Sequence, residues 1–254
     1  MRTQNSGNNY NNKINNKSCA RHVLGYFTMK KKLYLLSALF IMGLFTLCGC
    51  NKIENEPNEE PEEPKNELNG HEWVDLGLPS GTLWATCNVG ASSPEEYGNY
   101  YAWGETLTKG QYDESTYTYT DNPNKLPLSA DAAAINWGEG WMIPSENQWS
   151  ELINNCSWER NGWGTTFTGR NGNSLYLPSA GFDSDDIYAI NGVHWDGCGC
   201  FYWSSTICAD DTSKARFFYS MDSDSGLSAF PIFLGVREWS RRHGFTIRPV
   251  CYVQ

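Results

Sequence analysis

The residues of this chain best suited to chemistry are its cysteines, and Cys-Gly-Cys tripeptides occur at residues 48–50 and 198–200. Cysteines at this spacing can bind a metal ion, form a redox centre or enter separate disulfide bonds. The second tripeptide lacks the C-x-x-C form of a redox pair, and only His194 and Cys208 lie close enough in sequence to add zinc ligands. We therefore expect the cysteines of residues 198–200 to form separate disulfide bonds.

Two acidic clusters offer the carboxylate oxygens that calcium prefers. They consist of Asp183, Asp185 and Asp186, and of Asp222 and Asp224. The second cluster begins like an EF-hand loop, but Gly226 at the fifth position and Phe233 at the twelfth break that pattern. Both clusters are predicted to be solvated turns, so we expect no cofactor, and the first cluster is retained only as a weak metal candidate.

Motifs for catalysis are scarce. The chain contains no G-x-S-x-G nucleophile elbow, and its histidines show no H-E-x-x-H spacing. Carboxylates are so numerous that a pair for glycoside hydrolysis would carry no information. The sequence therefore predicts a protein that is not an enzyme.

The front of the chain has the parts of an export signal. Residues 1–28 are rich in Asn and lack an apolar period, so we expect a non-native extension ahead of a true start at Met29. Three lysines at residues 30–32 precede an apolar run over residues 33–47, and this run is shorter than the ~20 residues that a bilayer requires. Residues 29–49 are thus predicted to be a signal peptide.

The end of this signal resembles the bacterial lipobox, with Leu47 and Gly49 placed ahead of Cys50. The resemblance implies that Cys50 is lipidated and that Cys48 leaves with the signal. Residues 50–70 are rich in Pro and Glu, which predicts an extended tether. Acidic residues directly after the lipidated cysteine resemble the surface-export signals of Bacteroidetes lipoproteins. They imply an outer-membrane lipoprotein exposed at the cell surface.

Charge limits the partners. Residues 1–49 contain seven of the 19 Lys and Arg residues and none of the 29 Asp and Glu residues, which leaves 12 basic against 29 acidic residues, a net charge of −17. This charge disfavours nucleic acid and anionic lipid, so the membrane would be contacted only through the lipid anchor. The even number of cysteines in an exported domain favours disulfides, and the candidates are Cys87, Cys156, Cys198, Cys200, Cys208 and Cys251.

The elements that would position these residues form one α+β domain over residues 71–254. Ser145 is predicted to cap a helix, with Gln148 completing a capping box. The apolar stripe of this helix would consist of Trp149, Leu152, Ile153 and Cys156. Short, mostly antiparallel strands are predicted at 72–76 and 83–88, on both sides of a turn at 171–172, and at 200–206, 215–221 and 244–253. Residues 100–106 are predicted to be a strand or a buried loop, and residues 107–125 a polar surface segment.

Six motifs in order resemble one family. They are WVDLGLPSGTLWATCNVGA, YYAWGET, GWMIPSENQWSELI, NGNSLYLPSAG, YWSST and GFTIRPV, and together they resemble the Fibrobacter succinogenes major paralogous domain of gut Bacteroidetes lipoproteins. The resemblance covers residues 71–250 and implies a C-type-lectin-like fold with long ordered loops, whose terminal strand pairs near the start. It implies no particular activity. Two features depart from the pattern of the family. Met142 follows Gly140 and Trp141, where the family usually has a basic residue, and residues 226–243 differ from the usual sequence before the final motif.

In folds of this kind, ligands usually meet loops late in the chain. The candidates here are Tyr188, His194, Trp195, Tyr202, Arg237, Trp239, Arg241 and His243. Aromatic faces and Arg donors suit a sugar ring or a peptide. We therefore expect a cell-surface module that binds or adheres to glycan or protein. The alternatives are an enzyme of the formylglycine-generating type or a glycan hydrolase, and a structural surface component, which could be a diversified receptor.

Overall fold

The computed structural model describes residues 66–161, 163–184, 193–194, 199–221 and 233–252. Its helices are α1 (Ala132–Trp137) and α2 (Glu146–Asn155), with a 3-10 turn at Leu128–Ala130. Its strands are β1 (Glu67–Leu68), β2 (His71–Asp75), β3 (Leu83–Ala85), β4 (Ser157–Arg160), β5 (Gly164–Thr168), β6 (Ser174–Pro178), β7 (Phe182–Asp183), β8 (Val193–His194), β9 (Gly199–Ile207), β10 (Lys214–Met221), β11 (Phe233–Ser240) and β12 (Val250–Cys251). The predicted α+β class is confirmed.

The described strands form four antiparallel sheets, with the orders β1-β2-β3-β12, β11-β10-β9, β4-β5-β6 and β7-β8. In the first sheet, Val250 of β12 lies opposite Trp84 of β3. Isolated bridges join Tyr101 to Phe245 and Met142 to Val250. These pairings bring the two ends of the folded domain into contact.

Helix α2 begins as its local sequence predicts. The Ser145 backbone N–H donates to Oε1 of Gln148 over 2.8 Å, and the Gln148 N–H donates to Oγ of Ser145 over 3.4 Å, so the capping box is complete. Trp149 and Leu152 are fully buried. Ile153 packs against the same core. The predicted helix and its apolar stripe are therefore confirmed.

Helix α1 is not predicted by any of the sequence patterns above, because it is only six residues long and almost entirely apolar. Asp131 caps it. The buried Asp131 carboxylate accepts hydrogen bonds from the N–H groups of Ala133, Ala134 and Ile143 over 2.9, 3.1 and 2.8 Å. The side chain thus ties the start of α1 to the segment that leads into α2.

Strands β5 and β6 form the hairpin predicted around Asn171 and Gly172. Thr168 lies opposite Ser174, and Gly172 adopts φ +87°, a value that glycine reaches without steric cost. The strands predicted at 83–88 and 244–253 are shorter than expected, and only Leu83–Ala85 and Val250–Cys251 are extended there. Of residues 100–106, only Tyr101 bridges to another segment, and the predicted surface segment 107–125 contains the buried ring of Tyr112.

The sheet β9-β10-β11 lies between two aromatic cores. On one side Trp203 stacks on Phe245 with ring centroids 4.2 Å apart, and on the other side Trp149 stacks on Phe218 at 4.7 Å. Successive side chains of a strand point to opposite faces. For this reason β9 and β10 supply aromatic residues to both cores, and burial of each large side chain contributes ~1.5–3 kcal/mol.

The folded domain begins earlier than the sequence suggests. Strand β1 lies within the predicted tether of residues 50–70, and it pairs with β2. Leu68 packs against the core, and its carbonyl accepts a hydrogen bond from Nε1 of the buried Trp141 over 2.9 Å. The tether prediction is therefore corrected at residues 67–68, because Leu68 covers an indole that would otherwise lack a hydrogen-bond partner.

Candidate functional site

The candidate site is one face of strand β11. Leu234 and Val236 pack against the core that contains α2. Alternation along the strand therefore directs Arg237 and Trp239 to the opposite face, where Tyr219 of β10 lies across from Gly235. We name the three side chains Tyr219, Arg237 and Trp239 the β11 platform.

Arg237 is held by the ring of Tyr219. Its guanidinium carbon lies 5.1 Å from the Tyr219 ring centroid, a cation–π distance. Gly235 lies beside the same ring, since a Cβ atom there would be 3.5 Å from Cε1 of Tyr219, in ordinary contact. Arg237 itself is exposed, and it forms no ion pair with the residues that the structure describes. Its donors therefore face solvent from a fixed position.

Trp239 is anchored on one side and exposed on the other. Its ring lies 6.2 Å from that of Phe182, 6.3 Å from that of Phe217 and 6.0 Å from that of His243, measured between centroids. Even so, 42% of the residue is exposed. An indole supported in this way offers an apolar surface whose orientation is fixed before any ligand arrives.

Tyr202, which the sequence proposes for ligand binding, belongs to the core. It is fully buried, and its hydroxyl donates to the carbonyl of Pro178 over 2.9 Å. Burial raises the pKa of this hydroxyl far above its usual value. The prediction for Tyr202 is wrong, because strand alternation directs it into the core between β9 and α2.

Arg241 is likewise buried, with 3% of its surface exposed. Its Nε donates to the hydroxyl of Tyr117 over 2.7 Å, and its Nη2 donates to the carbonyl of Tyr119 over 2.7 Å. The guanidinium also lies 4.8 Å from the Trp103 ring centroid. Arg241 thus fixes the segment around Tyr117 to the sheet, and the prediction that it meets a ligand is corrected.

The remaining predicted binding residues divide into two groups. His243 is only 4% exposed, and its Nδ1 lies 3.1 Å from the Ser240 carbonyl oxygen, so the prediction for this side chain is also corrected. Tyr188 and Trp195 lie outside the described residues, as does the side chain of His194. Of the described candidates, only Arg237 and Trp239 share an exposed face. Tyr219 was missed, because nothing local shows that β10 pairs with β11.

The five described cysteines are unbridged: Cys87, Cys156, Cys200, Cys208 and Cys251. Two of them have other partners. The Cys200 thiol donates to the carbonyl of Leu177 over 3.4 Å, and the Cys208 thiol donates to Oε2 of Glu238 over 3.2 Å. The disulfides expected among these cysteines are therefore not present in this structure, and Cys198 lies outside the described residues.

Asp183 is the one member of the first acidic cluster that lies within the described residues. Its backbone exchanges two hydrogen bonds of 2.8 Å with Gly244, and burial raises the pKa of its carboxyl to about 6. Asp185 and Asp186 lie outside the described residues, like the second acidic cluster. In the part of the chain that is described, no three His, Cys, Asp or Glu side chains come together as a metal site.

One serine lies beside a carboxylate. Ser80 donates from Oγ to Oε2 of Glu151, and its backbone N–H donates to Oε1 over 2.8 Å. Thr82 continues this contact to the hydroxyl of Tyr252 over 3.0 Å. No described histidine takes part in these contacts, and the group ties the β2–β3 turn to α2.

No family model matches the chain, and neither a curated protein nor a solved structure matches it significantly. The family resemblance therefore stays a prediction. Among the described residues, no helix has the length and apolar character needed to span a bilayer.

Proposed function

We propose that the chain is a cell-surface lipoprotein whose folded domain binds glycans. The observation that carries the proposal is the β11 platform, where an exposed indole and an exposed guanidinium share one face of a sheet. Aromatic faces stack on the apolar faces of sugar rings, and arginine donates to their oxygens. Because β11 is paired to β10 along its whole length, the platform is presented without loop ordering.

The remaining parts of the proposal rest on the sequence. Lipidation of Cys50 would place the domain at the outer membrane, and the acidic tether would hold it away from the surface. A C-type-lectin-like fold is proposed from the family resemblance, and the pairing of β12 with β3 supports it. The proposed binding relies on the platform, and it invokes no cofactor.

Glycan binding is tested with the mature chain from residue 50 carrying Cys50→Ser, applied to an array of glycans. We expect binding to a subset of glycans that Trp239→Ala removes. Trp158→Ala is the matched control, because Trp158 is 38% exposed on β4, away from the platform. Loss of binding in both variants, or retention in both, would contradict the role of the platform. Capture of a protein with no glycan bound would favour the protein-ligand alternative.

The anchor has its own test. In a bacterial host fed a labelled fatty acid, the full chain should incorporate the label, and Cys50→Ala should not. Cys48→Ala is the control and should still be labelled. A label that follows Cys48 would overturn the assignment of the anchor.

A further inference from the structure

We propose that the β11 platform is a subsite for a carboxylated sugar ring, with Arg237 receiving the carboxylate and Trp239 the ring. This inference rests on the proposed glycan-binding function and specifies the chemical class of the ligand. It follows from the way Arg237 is held, from its lack of an ion-pair partner among the described residues, and from its spacing to Trp239.

Arg237 differs from two neighbouring arginines. Arg216 lies on the other face of the same sheet and pairs with Glu238 at 3.1 Å. Arg242 follows the end of β11 and pairs with Glu114 at 2.9 Å. Among the described residues, Arg237 has the Tyr219 ring as its cation–π partner, and this ring neutralises no charge. Two arginines near the platform thus each have an acidic partner, whereas Arg237 has none among the described residues.

The shape of the guanidinium also favours one kind of ligand for Arg237. A guanidinium is planar, and two of its N–H donors match the two oxygens of a carboxylate. Tyr219 restricts the side chain before binding, so less conformational entropy is lost when the pair forms. A neutral hydroxyl would use one donor only and would gain no charge attraction.

The spacing fits a single sugar unit. Arg237 and Trp239 are two residues apart on one face of β11, which places them about 6.7 Å apart along the strand. At this distance one ring can lie over the indole while its carboxylate contacts the guanidinium. A neutral ring stacked on Trp239 would engage Arg237 through a single hydroxyl, without charge attraction.

The charge of the chain makes such binding specific. With a net charge of −17 after residue 49, the domain repels polyanions at long range. Binding of an acidic glycan therefore requires a local contact strong enough to overcome that repulsion. Nonspecific adsorption, which a basic protein would show, is disfavoured here.

The test uses two glycans that differ only at one terminal group, a glucuronic acid in one and glucose in the other. The mature chain with Cys50→Ser should bind the acidic form about tenfold more tightly or better. Arg237→Gln should remove this preference, and Arg237→Lys should restore only part of it. Arg242→Gln is the control for charge, and it should leave the preference unchanged.

The outcomes separate the two proposals. Equal affinity for both glycans, or a preference that persists in Arg237→Gln, would overturn the acidic subsite and leave the glycan-binding function standing. Binding to no glycan of any kind would overturn both. Thermal unfolding of each variant is measured in parallel, and Arg237→Lys keeps the test valid if the glutamine variant unfolds.

Discussion

Arg248 donates a hydrogen bond from Nε to Oδ1 of Asn88 over 2.8 Å, although 160 residues separate them in the sequence. Its Nη1 also donates to the carbonyls of Ala85, at 3.1 Å, and Thr86. The guanidinium is completely buried, and burial lowers its pKa from the usual value. One side chain near the end of the chain therefore satisfies three acceptors near the start of the domain.

Replacing Arg248 with Met should destabilise the domain by ~2–4 kcal/mol, because the buried acceptors at Ala85, Thr86 and Asn88 lose their donor. Urea denaturation measures the change. The control is Arg242→Met, which removes only an exposed ion pair and should cost less than ~1 kcal/mol. Equal effects of the two substitutions would show that the Arg248 contacts do not stabilise the packing of the end of the domain against its start.

Ser145→Ala should destabilise the domain by ~1 kcal/mol, because the first turn of α2 loses its capping hydroxyl. The matched control is Ser174→Ala on β6, whose exposed side chain makes no hydrogen bond with the part of the chain that the structure describes. We expect a change within ~0.5 kcal/mol there. A Ser145→Ala variant as stable as the control would argue against the capping box.

The raised pKa of Asp183 predicts that the stability of the folded domain increases as pH falls below neutral. Burial raises the pKa of its carboxyl from 3.8 to about 6, so between these values the folded state holds a proton that the unfolded state has released. The folded state is therefore stabilised as pH falls from 7 towards 4, and the unfavourable burial of the charge is fully present above pH 6. This destabilisation of the folded state stays below ~3 kcal/mol, which is the free energy that corresponds to a pKa shift from 3.8 to about 6.

Asp183→Asn should therefore raise the free energy of unfolding at pH 7 more than at pH 5. Asp211 is the control, since hydrogen bonds from Ser213 lower the pKa of its carboxyl. Its contribution is fully present above the unfolded value of 3.8 and is lost as pH falls through the lower folded pKa. Asp211→Asn should therefore lower the free energy of unfolding equally at pH 7 and pH 5, and less below pH 3.8. Denaturation of both variants at several pH values checks the two signs, and a shared sign would refute the assignment.

Cysteine reactivity tests whether the five described cysteines are free thiols. Alkylation of the unreduced, unfolded protein should modify all five described cysteines. In the native state Cys87 and Cys156 should react first, because they are half-buried, while Cys200, Cys208 and Cys251 are buried. Burial also raises the pKa of the Cys251 thiol to about 11, which keeps it protonated. A disulfide-linked peptide joining any two of these residues would contradict the structure.

Gly104→Ala should destabilise the domain by more than ~1 kcal/mol. Gly104 adopts φ +81°, and a Cβ atom there would lie 2.2 Å from Cδ1 of Tyr119, whose carbonyl is held by Arg241. Gly110→Ala is the control, because no atom lies within 4 Å of its Cβ position. Thermal unfolding compares the two, and equal midpoints would mean that Tyr119 moves aside without cost.

Local interactions explain what could be predicted. The α2 cap joins Ser145 to Gln148, only three residues away, and the β5–β6 hairpin follows from Asn171 and Gly172. In both cases the residues that specify the conformation are neighbours in sequence, so their types suffice. The alternation of β9 and β10 is also visible in the sequence, but alternation alone does not say which face is buried or by what.

The sequence by itself determined the capped helix, the hairpin, the acidic charge and the α+β class, because each follows from composition or from contacts over a few residues. Only the tertiary structure decided that Arg241 is a core clamp while Arg237 is exposed. Both lie in one late segment, and their fates differ because Tyr117 and Tyr119, more than a hundred residues earlier, surround Arg241. Burial of a side chain depends on which distant segment packs over it.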